Sequence, residues 1–310
     1  MTQPDRTLPG VILMLIFCLF GPLLDFASKL ATETIPVGQI TAARFVVQGA
    51  LMVPVALIMG LSWRVDAKMA GWLTLRAAFL ILSTFCFVSG VSVMPVADAL
   101  AIVFVEPFIV LFLGFWLFGD SIGPRRILAS LVAFAGAMLV IQPSLAAFGL
   151  VALFPLGTAF LFGGYMLITR AMAANIHPVT MQLHTSIAGT LLCLPVLFIA
   201  NGTGWTQLDP VMPQGAAWLW LFGVGFWACV AHICITYALK FAPAATVAPL
   251  QYFEIVVAVI LGYLIYGDWP TPLTWVGIVI IIVAGLYLVH REQVAAKGRR
   301  SAQLLMDEAP

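Results

Sequence analysis

Long apolar runs separated by short polar connections make up the chain from about residue 9 to residue 290. Most runs are about 20 residues long and rich in Leu, Ile, Val and Phe, as a membrane-spanning helix requires, whereas barrel strands would be short and alternating. The pattern predicts ten transmembrane helices, numbered here as segments 1 to 10. They cover residues 9–31, 37–60, 70–92, 95–118, 125–142, 149–171, 178–200, 214–239, 243–266 and 271–290.

The composition supports this prediction. Hydrophobic residues make up 63% of the 310 residues and charged residues only 9%, against about 25% charged in a soluble domain. A net charge of +1 and five dispersed cysteines point away from a nucleic-acid surface, a disulfide framework or a zinc site. We therefore expect an all-α membrane protein with no cofactor, no metal and no nucleic-acid partner, surrounded by lipid and handling a small molecule.

Basic residues in the connections predict the orientation, because positive loops stay on the cytoplasmic side. With the N-terminus inside, all the basic residues except Lys29 and Arg44 fall on that side. They are Arg6, Arg64, Lys68, Arg76, Arg125, Arg126, Arg170, Lys240, Arg291, Lys297, Arg299 and Arg300. We expect a multi-pass protein of the inner (plasma) membrane with both termini cytoplasmic, including a short tail at residues 1–8 and a disordered tail at residues 291–310.

The second half of the chain repeats the first. The stretch VMPVADALAIVFVEPFIVLFLGFWLFGD at 93–120 returns as FAPAATVAPLQYFEIVVAVILGYLIYGD at 241–268, an offset of 148 residues that aligns Glu106 with Glu254. Segments 1 and 2 recur at an offset of 142, where Leu19-Phe20-Gly21 aligns with Leu161-Phe162-Gly163 and Pro36-Val37 with Pro178-Val179.

Residues 9–143 and 144–290 are therefore predicted to be two copies of one five-segment unit. Five is an odd number, so the second copy enters the membrane from the opposite face. Inverted repeats are typical of alternating-access transporters, because exchanging the conformations of the two copies moves the opening of a cavity from one side to the other.

Together, the five-plus-five arrangement, ITAARF with Arg44, and VEPFIVLFLGFWLFGD resemble the drug/metabolite transporter (DMT) superfamily, EamA type, over residues 9–290. LLDFASKLA and ATVAPLQYFEIVVAVILGYLIYGDWP are similar to a bacterial branch of importers that includes S-adenosylmethionine and riboflavin transporters. The resemblance implies a central cavity lined by segments 1–4 and 6–9, with segments 5 and 10 outside. The Glu-Pro motif at Glu106-Pro107 becomes Glu254-Ile255 in the second copy, so a Glu-Pro helix distortion is expected only in the first.

Six charged residues are candidates for burial within the membrane, each costing roughly 2.5–3.5 kcal/mol if left unpaired near the bilayer centre. Asp25 and Lys29 are one helical turn apart and can pair. With Arg44 and Asp98 they are expected to form a neutral outer cluster that joins segments 1, 2 and 4 and meets a zwitterionic or polar group of the substrate. The alternative is that these residues are buried ion pairs that only lock the bundle.

The remaining two charges, Glu106 and Glu254, lie near mid-membrane. Either Glu106 couples transport to protons, or the carboxyl groups are neutral and hydrogen-bonded across the pseudo-twofold axis that relates the copies. Further candidate substrate or coupling residues are polar or aromatic, and prolines inside the segments are candidate hinges. The first group comprises Tyr165, His184, His232, Gln251 and Tyr252, and the second Pro22, Pro107 and Pro249.

These observations predict a secondary transporter that moves a small metabolite by alternating access, with uptake of riboflavin or S-adenosylmethionine expected from the resemblance. An exporter of amino acids or amphipathic drugs with the same fold is the alternative, because gradients and not topology set direction. An intramembrane enzyme is disfavoured, since the four histidines are scattered without catalytic or metal-binding spacing. A homodimer through segments 5 and 10 also remains open.

Overall fold

The computed structural model describes residues 7–119, 123–141, 149–266 and 271–307. Arg6 lies outside the described residues, as do Asp120 and Gly267-Asp268 at the ends of the repeated motif. The described residues are helical, with no β-strand among them. The α-helices are α1 (Thr7–Ala31), α2 (Val37–Ile58), α3 (Ala67–Val93), α4 (Val96–Val103), α5 (Glu106–Phe118), α6 (Pro124–Ile141), α7 (Leu153–Met172), α8 (Pro178–Ala200), α9 (Ala217–Phe241), α10 (Ala244–Val247), α11 (Glu254–Tyr266) and α12 (Pro272–Asp307).

Seven helical stretches among the described residues are long and apolar enough to cross a membrane. Three shorter apolar helices accompany them, at Glu106–Phe118, Ile127–Leu139 and Pro272–Tyr287. The chain is therefore an all-helical, multi-pass membrane protein. Each predicted segment coincides with one helix, except that segments 4 and 9 are each divided.

The division falls at the same place in both copies. In segment 4, α4 ends at Val103 and α5 begins at Glu106; in segment 9, the 3-10 helix Ala248–Phe253 precedes Glu254, the first residue of α11. A proline explains each irregularity, because it has no N–H for the carbonyl group one turn earlier. Pro107 follows its glutamate, whereas Pro249 precedes the other by five residues. The Glu-Pro pair is present only in the first copy, but the second copy is irregular as well, beside the candidate hinge Pro249.

Helix packing follows the repeat. The closest helix pairs are α1 with α9, α3 with α7, α2 with α8, and α6 with α12. Exchanging the two copies converts the first pair into the second and leaves each of the other two unchanged. The residue that the repeat aligns with a given residue in the other copy is called its mate. Tyr252 donates a hydrogen bond from its hydroxyl to the carbonyl oxygen of its own mate, Phe104, at 3.1 Å, so the pseudo-twofold axis passes between segments 4 and 9.

Segments 5 and 10 pack against each other within the chain. A stripe of small residues at Ala129, Ala133 and Ala137 is buried, and Ala133 and Ala137 belong to a core cluster with Ile278 and Ile281 of α12. Small side chains at four-residue spacing let helix backbones approach closely in a membrane.

The C-terminal end differs from its expectation. The sequence predicts a disordered tail from residue 291, but α12 continues as helix to Asp307. Residues 291–307 contain Ala, Gln, Leu, Lys and Arg, which favour helix, and no proline that would end it.

Replacing Gly136 with alanine tests the close contact between α6 and α12. A Cβ there would lie 3.0 Å from the carbonyl oxygen of Gly277 and 3.0 Å from side-chain carbons of Ile280 and Ile281. Overpacking of this kind costs about 1–3 kcal/mol, so the melting temperature in detergent should fall. Gly262→Ala is the matched control, because a Cβ there meets nothing within 4 Å. Equal melting temperatures for the two variants would contradict the packing.

Candidate functional site

A cavity lies beside the pseudo-twofold axis, between α1, α2, α3, the divided segments 4 and 9, α7 and α9. The space open to the centre of a water molecule is about 90 Å³. Aromatic side chains and a set of polar ones share its wall. The aromatic residues are Phe17, Phe87, Phe104 and Phe162, and the chemistry-bearing polar residues are Asp25, Arg44, Thr84, Glu106, His232, Gln251 and Glu254.

Arg44 is the cation of the cavity and is only 4% exposed. Its guanidinium donates to the hydroxyl of Thr84 and to Nε2 of His232, while its Nε–H has no hydrogen-bond partner among the described residues. Asp25, which also lines the cavity, interacts with it electrostatically. Arg44 therefore presents an unused donor beside a carboxylate.

The contact with Arg44 determines which nitrogen of His232 carries the proton. A guanidinium can only donate, so Nε2 must accept. In the neutral ring the proton then lies on Nδ1, which is 2.9 Å from the hydroxyl oxygen of Tyr165 and donates to it. His232 is thus a neutral link between Arg44 and Tyr165.

Glu106 and Glu254 occupy matching positions in the wall. They are 2% and 9% exposed, and in the part of the chain that the structure describes neither Oε1 atom has a hydrogen-bond partner. Each carboxylic side chain faces a glycine of the opposite copy. A Cβ on Gly21 would lie 3.1 Å from Oε1 of Glu254, and one on Gly163 would lie 3.7 Å from Cγ of Glu106. Gly21 and Gly163 are mates, and so are Glu106 and Glu254. The same glutamate–glycine contact is therefore made twice, once on each side of the axis.

The other candidates in segment 9 have different positions. Gln251 lines the cavity and interacts with Glu106, and its Nε2 donates to Sδ of Met166 at 3.6 Å. Its amide oxygen has no partner. Tyr252 is fully buried behind the wall, where its ring packs against Phe104 with the centroids 5.4 Å apart.

Only two of the four residues of the expected outer cluster line the cavity. Asp25 and Arg44 line it, whereas Lys29 donates to the carbonyl oxygens of Val91 and Met94, at 2.5 and 3.4 Å. These groups lie at the C-terminal end of α3, where unpaired carbonyls attract a cation. The predicted Asp25–Lys29 pair is therefore wrong.

The remaining predicted residues lie outside the cavity wall. Asp98 is half-buried in the first turn of α4. His184 lies next to the backbone of Trp63, at the connection between α2 and α3. Pro22 is buried within α1.

Arg76 is the polar residue that the sequence analysis misplaced. It was counted with the cytoplasmic loops, but it lies in α3 with no exposed surface. It donates to Thr169 and to the hydroxyl of Tyr165, both at 2.7 Å, and to Gln182 and Thr236 at 3.1 and 3.2 Å. Thr185 accepts a further hydrogen bond. We call these six residues the Arg76 cluster.

A signal for this burial was present in the sequence. Asp66 caps α3, since its carboxylate accepts from the backbone N–H of Met69 at 2.6 Å, and Asp is a preferred N-cap residue. A helix that begins at Ala67 places Arg76 about 13 Å along its axis, well inside the apolar layer.

An apolar helical bundle built from two like halves around a polar cavity has the architecture of a membrane transporter. The chain belongs to the EamA-like transporter family, whose pattern it matches twice, over residues 8–142 and 149–290.

Named relatives support this assignment. A riboflavin transporter of Rhizobium johnstonii is 27% identical over 94% of this chain and 94% of its own length. An S-adenosylmethionine uptake transporter of Rickettsia felis is 24% identical over 74% of this chain and 75% of its own. A crystal structure with 18% identity matches 94% of this chain and 99% of its own chain with a TM-score of 0.73, which shows a shared fold.

Lys29→Met tests whether Lys29 stabilises the end of α3. A hydrogen bond to a charged group contributes about 1.5–3 kcal/mol, so the melting temperature in detergent should fall by several degrees. Lys68→Met is the control, because Lys68 is exposed at the start of α3. An unchanged melting temperature for Lys29→Met would show that the two carbonyl contacts contribute nothing.

Proposed function

We propose that this protein is a secondary transporter that takes up a flat, cofactor-like metabolite, with riboflavin as the first candidate. The observation that carries the proposal is a cavity beside the pseudo-twofold axis in whose wall four buried polar atoms lack partners among the described residues. The orphaned atoms are Nε of Arg44 and one side-chain oxygen each of Glu106, Gln251 and Glu254.

Such a set suits a ligand that both accepts and donates hydrogen bonds. An unsatisfied buried polar group costs about 1–3 kcal/mol, which a ligand removes by supplying the missing partner. A carbonyl oxygen of the ligand would accept from Nε of Arg44, and a ring N–H or a hydroxyl would donate to the oxygens on the opposite wall. The four phenylalanines offer flat faces against which a heterocycle stacks.

Riboflavin is the first candidate for two reasons. The relative named for it aligns with 94% of this chain, against 74% for the relative named for S-adenosylmethionine. A neutral ring also needs no counter-charge, and Arg44 and Asp25 already compensate each other in part. The 90 Å³ cavity has room for waters only, so the walls must separate to admit a three-ring ligand.

The membrane arrangement is part of the proposal. We infer that all ten segments cross the inner membrane, that the two five-segment copies are inverted, and that both termini are cytoplasmic. The two family matches and the exchange-symmetric packing support two equivalent halves. Arg64, Lys68, Arg170 and Lys240 lie at connections on one side of this arrangement, as the positive-inside rule requires.

Counterflow in proteoliposomes tests the substrate. Vesicles loaded with unlabelled riboflavin should accumulate labelled riboflavin transiently, because exchange through one site needs no external energy. A parallel arm uses S-adenosylmethionine. Accumulation of neither by folded, monodisperse protein would overturn the uptake proposal and direct attention to amino acids and amphipathic drugs as exported cargo.

Variants connect this assay to the cavity. Arg44→Gln removes the orphaned donor, so counterflow should fall about tenfold or more, with folding retained. Arg125→Gln, at an exposed position near the start of α6, should leave counterflow unchanged. Equal rates for the two variants would place the binding site elsewhere.

The carboxyl pair supports a further step, coupling to protons. Glu106 interacts with the side-chain amide of Gln251 in the other copy, as expected for a link between the copies. The mate of Gln251 is the apolar residue Val103. Glu254 therefore has no equivalent amide partner at that position. We propose that Glu254 exchanges the coupling proton with cavity water and that Glu106 holds the copies in register.

A pH gradient applied across the vesicles tests this assignment. Glu254→Gln should retain counterflow but lose accumulation driven by the gradient, since an amide carries no exchangeable charge. Glu106→Gln should retain gradient-driven accumulation. The reverse pattern would assign coupling to Glu106, and normal accumulation by both variants would exclude both carboxyl groups.

A further inference from the structure

The Arg76 cluster joins four helices at one end of the cavity. Arg76 comes from α3, Tyr165 and Thr169 from the last turns of α7, Gln182 and Thr185 from the first turns of α8, and Thr236 from the end of α9. Apolar side chains lie beside it toward the same end of the bundle, where Leu73, Met172 and Met181 form a separate buried cluster. Buried side chains therefore fill this end of the bundle.

The repeat predicts an equivalent contact at the other end. The offset of 148 residues, applied also to segments 3 and 8, makes Val224 the mate of Arg76. The mates of the partners of Arg76 are apolar as well. In the order Tyr165, Thr169, Gln182, Thr185 and Thr236, they are Leu23, Ala27, Ile40, Ala43 and Val88.

All of these mates except Leu23 meet in the structure. Val224, Ala27, Ile40 and Val88 are buried in one hydrophobic cluster against which Ala43 packs. We call these five residues the Val224 cluster. Val224 and Arg76 are both 0% exposed. Equivalent helix contacts of opposite chemistry, one polar and one apolar, therefore occupy the two ends of the bundle.

The polar end is also connected to the cavity. Arg44 donates to Nε2 of His232, His232 faces the hydroxyl of Tyr165, and Tyr165 accepts from Arg76. The Val224 cluster has no such connection, because the mate of Tyr165 is Leu23. Only the polar end is therefore joined to the side chain of Arg44 by hydrogen bonds.

We propose that the Arg76 cluster is the cytoplasmic gate and the Val224 cluster the external gate, and that Arg44 controls the cytoplasmic gate through His232 and Tyr165. The proposal rests on the alternating access proposed above. A ligand that draws Arg44 toward the cavity would release Nε2 of His232 and weaken the hydrogen bond that Arg76 donates to the hydroxyl of Tyr165.

The chemistry of the two gates fits their tasks. A guanidinium stays charged, and its neutral partners can be exchanged for water when the cytoplasmic gate opens, since such exchanges nearly balance in free energy. The apolar gate closes by burying hydrocarbon surface and needs no ligand-dependent signal. Cargo would therefore trigger release toward the cytoplasm.

Hydrogen–deuterium exchange of the full chain in lipid nanodiscs, without any ligand, tests the gates. Residues 165–185 and their mates, residues 23–43, report the two ends. Arg76→Gln should raise exchange about tenfold in 165–185 and leave 23–43 unchanged. Val224→Asn should do the opposite. Lys68→Gln, exposed on α3, should change neither segment.

The same measurement tests the connection to the cavity. Arg44→Gln should raise exchange in 165–185, although Arg44 forms no hydrogen bond with that segment among the described residues. Thr84→Val removes the other partner of Arg44 and should leave 165–185 unchanged. If Arg76→Gln does not fold, Arg76→Lys keeps the charge and should give a smaller rise in the same segment.

Two outcomes would overturn the proposal. Equal rises in both segments for Arg76→Gln would mark a general loss of stability, and no rise in 165–185 would show that the cluster does not hold this end closed. Since no ligand is present, either result is independent of whether riboflavin is the substrate, which counterflow decides.

Discussion

The low dielectric of the membrane governs this structure, because every charge placed inside must find water, a partner or a proton. The chain solves this in three ways. Lys29 is held by carbonyl groups at the end of α3, Arg76 by five neutral side chains, and Arg44 by Thr84 and His232. Four buried polar atoms of the cavity wall, on Arg44, Glu106, Gln251 and Glu254, lack partners among the described residues, which is why the ligand is expected there.

The helix positions and the repeat could be predicted from the sequence, because long apolar runs and aligned motifs are local properties of the chain. The pairing of Lys29 could not. Its one-turn spacing from Asp25 permits an ion pair, but the carbonyl groups that bind it come from α3, about sixty residues away, and only the packing of α1 against α3 brings them close. Spacing along one helix gives possible partners, and tertiary structure chooses among them.

The burial of Arg76 could not be predicted for a different reason. The apolar run alone sets the start of segment 3 at residue 70, which leaves Arg76 near an interface where a basic residue is ordinary. The N-cap at Asp66 moves the start to Ala67, and the partners that make burial tolerable are threonine, glutamine and tyrosine on three other helices. Hydrophobicity scales register such residues weakly. Buried polar clusters made of mild polar residues are therefore hidden in a sequence until the helices are assembled.

The pseudo-twofold axis finally explains where the two copies differ. A ligand such as riboflavin has no twofold symmetry. A site made of identical halves would present the same groups on both sides of the axis and would therefore not match the different edges of such a ligand. The copies have diverged at the positions beside the axis, where Arg44 has Ser186 as its mate, His232 has Thr84, and Gln251 has Val103. Each pair places the more strongly hydrogen-bonding group in one copy only. The shared backbone supplies the exchange of conformations, and the divergent side chains supply the polarity of the site and of its two ends.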